Sequence, residues 1–190
     1  MAEWKKKREV MRHYDSLAPV YDAQYGEEQD AKIKAALSSA VLEKDSLVLG
    51  AGCGTGLLFK HMERSVKLLV GLDISPRILK EAKKRAKGIP TLAVVRADAD
   101  FAPFQNEVFD ATFAITLLQN VPDPLRTLRE MKRVSKGRGF IVATGLKKEF
   151  SRETFVELLQ KADLEFSMIE SGGELKGHVA VCRKAGGENT

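Results

Sequence analysis

Apolar and polar positions follow two patterns along the chain, and together these patterns predict a regular succession of strands and helices. Short apolar runs predict strands near 46–50, 68–73, 92–96, 109–117 and 138–144. Between them, apolar residues three and four positions apart predict helices near 56–64, 76–87 and 124–136. Such alternation favours right-handed crossovers and a mostly parallel sheet with helices on both faces.

The stretch before the first strand predicts helices instead of strands. Its second helix has one apolar face, formed by Ile33, Ala36, Leu37, Ala40 and Val41. We expect residues 1–42 to form a helical cap on an α/β core at residues 46–183, with a disordered polar tail at residues 185–190. A length of 190 residues and an apolar content of 44% suit a single domain, which we place at residues 1–184.

The end of the chain predicts two further strands that run in opposite directions. Ser151 opens a helix whose inward positions are Phe155, Leu158, Leu159 and Ala162. Strands near 164–170 and 178–183 follow, and the short loop 171–177 between them suits an antiparallel hairpin. The predicted fold class is therefore α/β: a doubly wound, seven-stranded, mostly parallel Rossmann-like sheet that ends in an antiparallel hairpin.

The turn after the first strand, Gly50-Ala51-Gly52-Cys53-Gly54-Thr55-Gly56, is the most informative segment for function. Glycine permits positive φ and lets a ligand lie against bare main chain, which a Cβ at Gly52 or Gly54 would prevent. The residues from Leu57 to Arg64 predict a helix whose N-terminal amides face that ligand. The turn indicates a nucleotide-like ligand, with a plain tight connection between strand and helix as the alternative.

The spacing of the glycines and acids narrows the ligand further. A dinucleotide fingerprint requires GxGxxG, but Leu57 stands where its third glycine would fall. No Gly-Lys-Ser/Thr follows, which excludes a P-loop as well. Asp73 ends the second apolar run and Asp98 follows the third, where parallel strands deliver carboxylates to one edge. Asp73 suits the hydroxyls of a ribose, and the alternative is that both acids only cap loops.

Charge, cysteine content and hydropathy limit other classes of function. The net charge of +5 permits an anionic partner, and Lys5 to Arg8 form either a solvated helix face or an RNA contact. Cys53 and Cys182 indicate neither a disulfide framework nor a metal cluster, and no other residue set has metal-ligand spacing. We find no bilayer-spanning apolar run and no signal-peptide pattern, so we expect a metal-free cytoplasmic protein.

Four segments of the chain share the pattern of one known family. The glycine turn has the form GxGxG, and residues 14–22 read Tyr-Asp-Ser-Leu-Ala-Pro-Val-Tyr-Asp. Phe109-Asp110 opens the fourth predicted strand, and Val121-Pro122-Asp123-Pro124 leads into the next helix. Together they resemble the class I S-adenosylmethionine-dependent methyltransferases, in the type 11 branch that includes enzymes of ubiquinone and menaquinone biosynthesis and related RNA-modifying enzymes.

The resemblance implies S-adenosyl-L-methionine as the cofactor, together with a set of site residues. The implied cofactor-binding residues are Tyr14, Tyr21, Gly50, Ala51, Gly52, Gly54, Gly56, Asp73, Ile74, Asp98, Ala99 and Thr116. Gln119 and Asn120 stand where relatives often have paired histidines, and they are the implied substrate residues. The catalytic residues stay unknown, because methyl transfer from a sulfonium chiefly requires alignment. His13 is a candidate base without an identifiable partner, with a surface histidine as the alternative, and no role is assigned to His61 or His178.

Two positions depart from the pattern of the family. Gly50 replaces the Asp or Glu that commonly ends the first strand, so a water or another residue must bind the cofactor amine. Ile115-Thr116 stands where amine-directed enzymes begin an Asn/Asp-Pro-Pro-aromatic motif, and that motif is absent here. The second departure disfavours methylation of an exocyclic amine.

The short connection after the fifth strand, residues 145–151, bears on the class of acceptor. It lacks the insertion that many small-molecule methyltransferases use as a lid, and the basic N-terminal flank adds positive charge. Both features favour a macromolecular acceptor, either tRNA or rRNA or a translation protein. The alternatives are a small quinone-like acceptor and a non-catalytic cofactor-binding subunit.

The third predicted strand is apolar at nearly every position from Leu92 to Val95. It would lie at the edge of the sheet if the strand order is that of the family, and an apolar edge usually needs a cover. Some minimal relatives work with a small zinc-binding activator protein that extends the sheet, so we expect such a partner at this edge. The alternative is that flanking helices cover both faces and leave only backbone exposed.

Overall fold

A single seven-stranded sheet forms the centre of the protein, whose computed structural model describes residues 2–63, 65–169 and 175–186. The spatial order of the strands is β3-β2-β1-β4-β5-β7-β6, with β1 to β5 parallel and β7 antiparallel to both of its neighbours. The strands are β1 (Leu47–Ala51), β2 (Leu68–Asp73), β3 (Leu92–Arg96), β4 (Phe109–Ala114), β5 (Ser135–Leu146), β6 (Leu164–Met168) and β7 (Gly177–Lys184). This topology confirms the predicted fold class.

Helices cover both faces of the sheet, and a separate hydrophobic core lies on each face. The α-helices are α1 (Ala2–Leu17), α2 (Tyr21–Leu37), α3 (Pro76–Ala86), α4 (Pro124–Val134) and α5 (Arg152–Lys161). Apolar residues of α4 and α5, such as Leu128 and Phe155, pack in one core. Apolar residues of α2 and α3, such as Ile33 and Leu79, pack in the other. The sheet therefore lies between two buried layers, as the alternation of apolar runs predicts.

The starts of α3, α4 and α5 follow the capping rules with one exception. Asp123 accepts a hydrogen bond from the Arg126 amide (3.1 Å), and Ser151 caps α5 in the same way. Ser75 stands at the start of α3, but its hydroxyl donates to Asp15 (2.5 Å) and accepts nothing from the helix. Asp15 itself accepts from an amide in the first turn of α3, so α1 supplies the capping acceptor at the start of α3.

The helix predicted after the glycine turn is wrong. Between Gly54 and Glu63 the chain forms turns and one three-residue 3-10 helix, Phe59–His61. Gly56 has a left-handed backbone (φ 83°), and a Cβ there would lie 2.6 Å from the ring of Phe59. The buried Phe59 ring thus folds back under the turn, which stops an α-helix from starting at Leu57.

Several predicted boundaries also differ from the structure. Helix α2 ends at Leu37, so Val41 is not part of its apolar face and is 85% exposed. Strand β4 ends at Ala114, three residues early, because Thr116 takes a left-handed backbone (φ 57°). Four predicted features lie partly outside the described residues: the helix end at residue 64, the strand end at residue 170, most of the hairpin loop (171–174) and the end of the tail (187–190).

Candidate cofactor and acceptor site

The glycine turn lies at the carboxyl end of β1, in the middle of the sheet. Gly52 and Gly54 have left-handed backbones (φ 64° and 55°), which non-glycine residues rarely adopt. A Cβ on Gly52 would lie 2.8 Å from the end of the Leu117 side chain, which reaches over from the loop after β4. The turn therefore presents bare main chain to the space between β1 and β4, as a ligand cradle requires.

Asp73, at the carboxyl end of β2, braces this turn. Its carboxylate accepts hydrogen bonds from the amides of Gly54 and Ser75, both at 2.9 Å. Burial raises the pKa of Asp73 above its usual value despite these donors, and the nearby charge of Asp15 adds to the rise. A carboxylate already held by two amides has its remaining lone pairs in fixed directions, which suits recognition of a diol.

Asp98, after β3, is paired with a lysine of the basic N-terminal segment. Lys7 of α1 lies 2.6 Å from both Asp98 and Asp100, and its side chain is 8% exposed. Burial disfavours the Lys7 ammonium, but the two carboxylates outweigh it and raise its pKa. Neither a solvated face nor an RNA contact describes Lys7, so both interpretations of residues 5–8 are wrong for this residue.

Two tyrosines form the wall that faces the glycine turn. The Tyr14 hydroxyl accepts a hydrogen bond from the Asn120 side chain (2.7 Å), and the Tyr14 and Tyr21 rings have centroids 6.0 Å apart. Burial raises the pKa of Tyr14 to about 12 and raises that of Tyr21 further. Both rings are neutral phenols at physiological pH, so they act through packing and hydrogen bonds.

Most of the predicted cofactor residues line two small cavities on either side of the glycine turn. The first, of about 80 Å³, is lined by Tyr14, Tyr21, Gly52, Gly54, Asp73, Ile74, Asp98, Ala99 and Thr116, among others. The second, of about 40 Å³, adds Gly50 and Ala51. Gly56 lines neither cavity, because it packs against Phe59.

The second cavity contains a polar residue that the sequence did not single out. Gln29 of α2 lines it together with Gly50, and its side chain accepts a hydrogen bond from the Thr116 hydroxyl (2.7 Å). Its amide nitrogen lies 3.5 Å from the Tyr21 hydroxyl. Gln29 therefore brings an amide to the side where Gly50 lacks the carboxylate of the family pattern.

A larger cavity, of about 720 Å³, adjoins the first one. Tyr14, Tyr21, Thr116 and Asn120 line both, so these four residues stand at the junction. Gln119 lines the larger cavity alone, and its amide nitrogen donates to the Thr116 carbonyl (2.8 Å). The two residues predicted to bind substrate, Gln119 and Asn120, thus lie beside the residues predicted to bind cofactor. We call the larger cavity the acceptor cavity.

Lys32 is the least expected residue of the acceptor cavity. It lies on α2 with its side chain 1% exposed, 3.2 Å from Glu28 and 3.3 Å from the Thr116 hydroxyl. Burial lowers the pKa of Lys32, and the pairing with Glu28 opposes that change. The helical periodicity of the sequence could have identified both polar residues as inward-facing, because Gln29 and Lys32 share the helical stripe of Ile33 and Ala36.

Residues 2–63, 65–169 and 175–186 contain neither a candidate metal centre nor a membrane-spanning helix. Within these ranges, no three His, Cys, Asp or Glu side chains come together as a metal ion would need. The same ranges contain no helix with the length and apolar character to cross a bilayer. Cys53 and Cys182 are free thiols, and burial raises the pKa of Cys182 to about 12.

Known proteins similar to this chain share its sequence pattern and its fold. A methyltransferase domain family matches residues 49–143. An uncharacterised protein of Methanocaldococcus jannaschii is 32% identical over 140 residues, which cover 74% of this chain and 53% of that protein. A demethylmenaquinone methyltransferase of Staphylococcus epidermidis is 29% identical over 171 residues, which cover 86% of this chain and 69% of that enzyme. The chain spans about half the length of the first of these relatives.

A solved structure shares the fold at lower sequence identity. It is a protein in complex with the Trm112 methyltransferase activator of Haloferax volcanii, with a TM-score of 0.77 and 17% identity over 90% of this chain and 97% of that one. Similarity at this identity shows the fold alone. The methyltransferase domain family matches half of the chain. The chain therefore belongs to the class I S-adenosylmethionine-dependent methyltransferases of the type 11 branch, whose cofactor is S-adenosylmethionine.

Proposed function

We propose that the protein transfers the methyl group of S-adenosylmethionine to a nucleobase of tRNA or rRNA that enters the acceptor cavity. The observation that carries this proposal is the junction of the two cavities. Tyr14, Tyr21, Thr116 and Asn120 line both, so an acceptor on one side and a cofactor on the other would meet there. Methyl transfer depends mainly on such alignment of the reacting groups.

The residues present fit the cofactor in three respects. Left-handed Gly52 leaves the cradle free of a Cβ, Asp73 offers acceptors for the ribose, and apolar Ile74 and Ala99 flank the position for adenine. Gln29 is the side chain that we assign to the amine of the methionine part, in place of the missing acid at Gly50. The bound cofactor supplies an electrophilic methyl group on a sulfonium.

Access of the cofactor requires movement of α1. The two cavities at the glycine turn hold about 80 and 40 Å³, whereas ligand sites usually hold about 300–1,000 Å³. Lys7, Val10, Met11 and Tyr14 of α1 form one wall of the larger of the two. Outward displacement of this wall would enlarge the site without a change in the sheet.

An RNA base suits the acceptor cavity in shape and in charge. RNA-modifying enzymes take the target base out of its stack and hold it against aromatic rings, with hydrogen bonds to its edge. Here Tyr14, Tyr21 and Tyr25 provide rings, and Gln119 and Asn120 provide amides. Lysines 147, 148 and 176 also line the cavity and suit the flanking phosphates.

The connection between β5 and α5 supports a large acceptor. Strand β5 ends at Leu146 and α5 begins at Arg152, so five residues join them and none forms an inserted lid. Two of these five are lysines that line the acceptor cavity. A chain much larger than the cavity can therefore present one base to it.

Mass spectrometry of modified nucleosides tests this function. We expect a strain without the gene to lose one methylated nucleoside from tRNA or rRNA, and the wild-type gene to restore it. Asp73→Ala should fail to restore it, whereas Lys34→Met, an exposed change on α2, should succeed. If the RNA modifications are unchanged and a small metabolite changes instead, the acceptor is a small molecule and the proposed RNA acceptor is wrong. The demethylmenaquinone methyltransferase relatives make this the alternative acceptor class.

We also propose a small zinc-binding activator protein as a partner at the edge strand β3. This strand pairs only with β2 in the described residues, and its residues from Ala93 to Val95 are half-buried. A free strand edge binds an extended segment through main-chain hydrogen bonds. The complex of a similar fold with the Trm112 activator supports this partner.

Copurification from the native source tests the partner. Val94→Lys should reduce binding of the partner, because a charge on an apolar edge discourages strand addition. Ser167→Lys, on the exposed face of the opposite edge strand β6, is the matched control and should leave binding unchanged. A fully active monomer, or a complex indifferent to Val94→Lys, would contradict docking at β3.

A further inference from the structure

A buried ammonium group lies where the two cavities meet. The Lys32 amine is 3.3 Å from the Thr116 hydroxyl. Thr116 lines both the acceptor cavity and the cavity of about 80 Å³ at the glycine turn. A lysine amine has three N–H donors, and the described residues supply two partners, Thr116 and Glu28. Among the described residues the third donor has no partner, and it is the one that a ligand in the acceptor cavity would meet.

The charges around Lys32 leave a positive excess in the acceptor cavity. Its lining contains four lysines against two glutamates, namely Lys32, Lys147, Lys148, Lys176, Glu28 and Glu149. Glu28 is shared, because the same carboxylate oxygen accepts the Lys176 amide (2.9 Å) and pairs with Lys32 (3.2 Å). A buried cation with a shared partner favours an anion beside it.

Gln119 adds a hydrogen-bond acceptor to the same cavity. Its amide nitrogen donates to the Thr116 carbonyl, which determines the orientation of the side chain. Its oxygen is buried and has no partner among the described residues. Such an oxygen needs an N–H or O–H donor, and a ligand in the cavity can supply one for as long as it holds its acidic proton.

Aromatic rings determine the shape of the ligand. The rings of His13, Tyr14, Tyr21 and Tyr25 follow one another with centroid distances of 5.3, 6.0 and 5.1 Å. All four line the acceptor cavity. A planar ring can stack on such a series, whereas a flexible aliphatic chain gains less from it.

We propose that Lys32 makes the acceptor cavity selective for a planar ring with an acidic N–H or O–H, which reacts as its anion. This inference rests on the proposed function and names the acceptor class: a ring imide such as that of uracil, or a phenol. The proton of the N–H or O–H passes to bulk water. The ring anion then bonds to the methyl carbon, and the electron pair of the carbon–sulfur bond stays on sulfur.

Exocyclic amines are excluded by the same chemistry. Such an amine does not ionise to an anion in water, so the Lys32 ammonium gives it no advantage. The segment that begins with Ile115 and Thr116, just after β4, also lacks the motif of amine-directed enzymes. Charge and sequence therefore point to the same class of acceptor.

Two matched pairs of small compounds test the proposal by calorimetry, with S-adenosylhomocysteine present. The pairs are 5-fluorouridine with its N3-methyl derivative, and 4-nitrophenol with 4-nitroanisole. At a pH above the pKa of the acidic compound, we expect that compound to bind at least about tenfold more tightly than its methylated partner. A preference of this size is what a charge-assisted hydrogen bond contributes. Below that pKa the preference should become smaller, because only the hydrogen bond from the neutral N–H or O–H to the Gln119 oxygen remains.

Variants assign the preference to Lys32. Lys32→Met should abolish it, and Lys34→Met, an exposed change on the same helix, should keep it. Glu28→Gln combined with Lys32→Met leaves no unpaired carboxylate, so it provides the same test if the single variant does not fold. A preference that survives in the double variant, or that Lys147→Met removes instead, would overturn the assignment.

The outcomes also separate this inference from the proposed function. If the phenol pair shows a Lys32-dependent preference and the nucleoside pair shows none, the anion selectivity holds and the RNA acceptor is wrong. If RNA loses a methylated nucleoside in the deletion strain but neither pair shows a preference, the anion selectivity is wrong. Equal binding of acidic and methylated compounds in the wild type overturns it directly.

Discussion

The cofactor side and the acceptor side of the site meet at Thr116, but different parts of the chain form them. The cofactor side is formed mainly by main chain and short loops. Gly52, Gly54, Asp73 and Asp98 all lie at the carboxyl ends of parallel strands or within three residues after them. On the acceptor side, the polar groups are side chains of α1, α2 and the loops after β4 and β5. The first side depends on the sheet, and the second depends on how helices pack over it.

This difference has a physical origin. Parallel strands bring their carboxyl ends to one edge, so residues that follow them converge in any protein of this topology. The side chains of a covering helix converge only if the helix packs in the right register and orientation. Changes on the two sides should therefore differ in kind: cofactor-side changes alter cofactor affinity, and acceptor-side changes alter selectivity.

We expect the largest effect from Lys7→Met, which removes the cation that joins α1 to the cofactor side. The Asp100 side chain is fully buried, and a buried carboxylate without its cation should lower the free energy of unfolding by about 3–5 kcal/mol. Urea unfolding measures this. Lys5→Met, at an exposed position of the same helix, should change it by less than about 0.5 kcal/mol. Equal stability of the two variants would show that α1 is held by its apolar contacts alone.

Asp73→Ala should have the next largest effect, on cofactor affinity. The change removes the proposed acceptors for the ribose, and it leaves the Gly54 and Ser75 amides without the carboxylate they bind. Calorimetry should show S-adenosylmethionine binding weakened by about 1.5–3 kcal/mol. Asp110→Ala, whose carboxylate binds the Leu47 amide at the other end of the sheet, is the control. Unchanged affinity in Asp73→Ala would remove Asp73 from the ribose site.

Tyr14→Phe tests the junction between the two sides and should have a smaller effect, on the free energy of unfolding. It deletes the hydroxyl that accepts the Asn120 hydrogen bond and keeps the ring in place. We expect a loss of about 0.5–1.5 kcal/mol in the free energy of unfolding, measured by urea titration. Tyr25→Phe, on the more exposed ring of the same series, should change it less. A larger loss in Tyr25→Phe would contradict the junction role of Tyr14.

The smallest expected effect is a pH dependence of stability caused by Lys32. Burial lowers its pKa in the folded state below the ordinary value of 10.5, against the opposing charge of Glu28. Between the folded and unfolded pKa values, the unfolded chain holds a proton that the folded protein has released. Stability should therefore rise with pH in that window below 10.5. Urea unfolding across it should show a smaller rise in Lys32→Met than in Lys34→Met, and equal rises would contradict this cause.

The succession of strands along the chain and the cofactor cradle follow from local features of the sequence. Apolar runs predict β1 to β5, the loop 171–177 predicts the antiparallel ending, and the glycine spacing excludes a dinucleotide. These features are local because a strand, a left-handed glycine and an acid after a strand each depend on a few neighbouring residues. The helix after Gly56 was the local prediction that failed, since Phe59 packs under the turn through a tertiary contact.

The sequence by itself determined the family, the sheet and the position of the cofactor side, whereas the tertiary structure decided which charged side chains are buried beside the site. Lys7 pairs with Asp98 across 91 residues, and Lys32 meets Thr116 across 84. No periodicity or motif links residues so far apart, because their contact depends on the packing of α1 and α2 over the strand ends. Their charge shows only that they are polar; burial beside one another makes Lys7 a structural cation and Lys32 a candidate for selecting the acceptor.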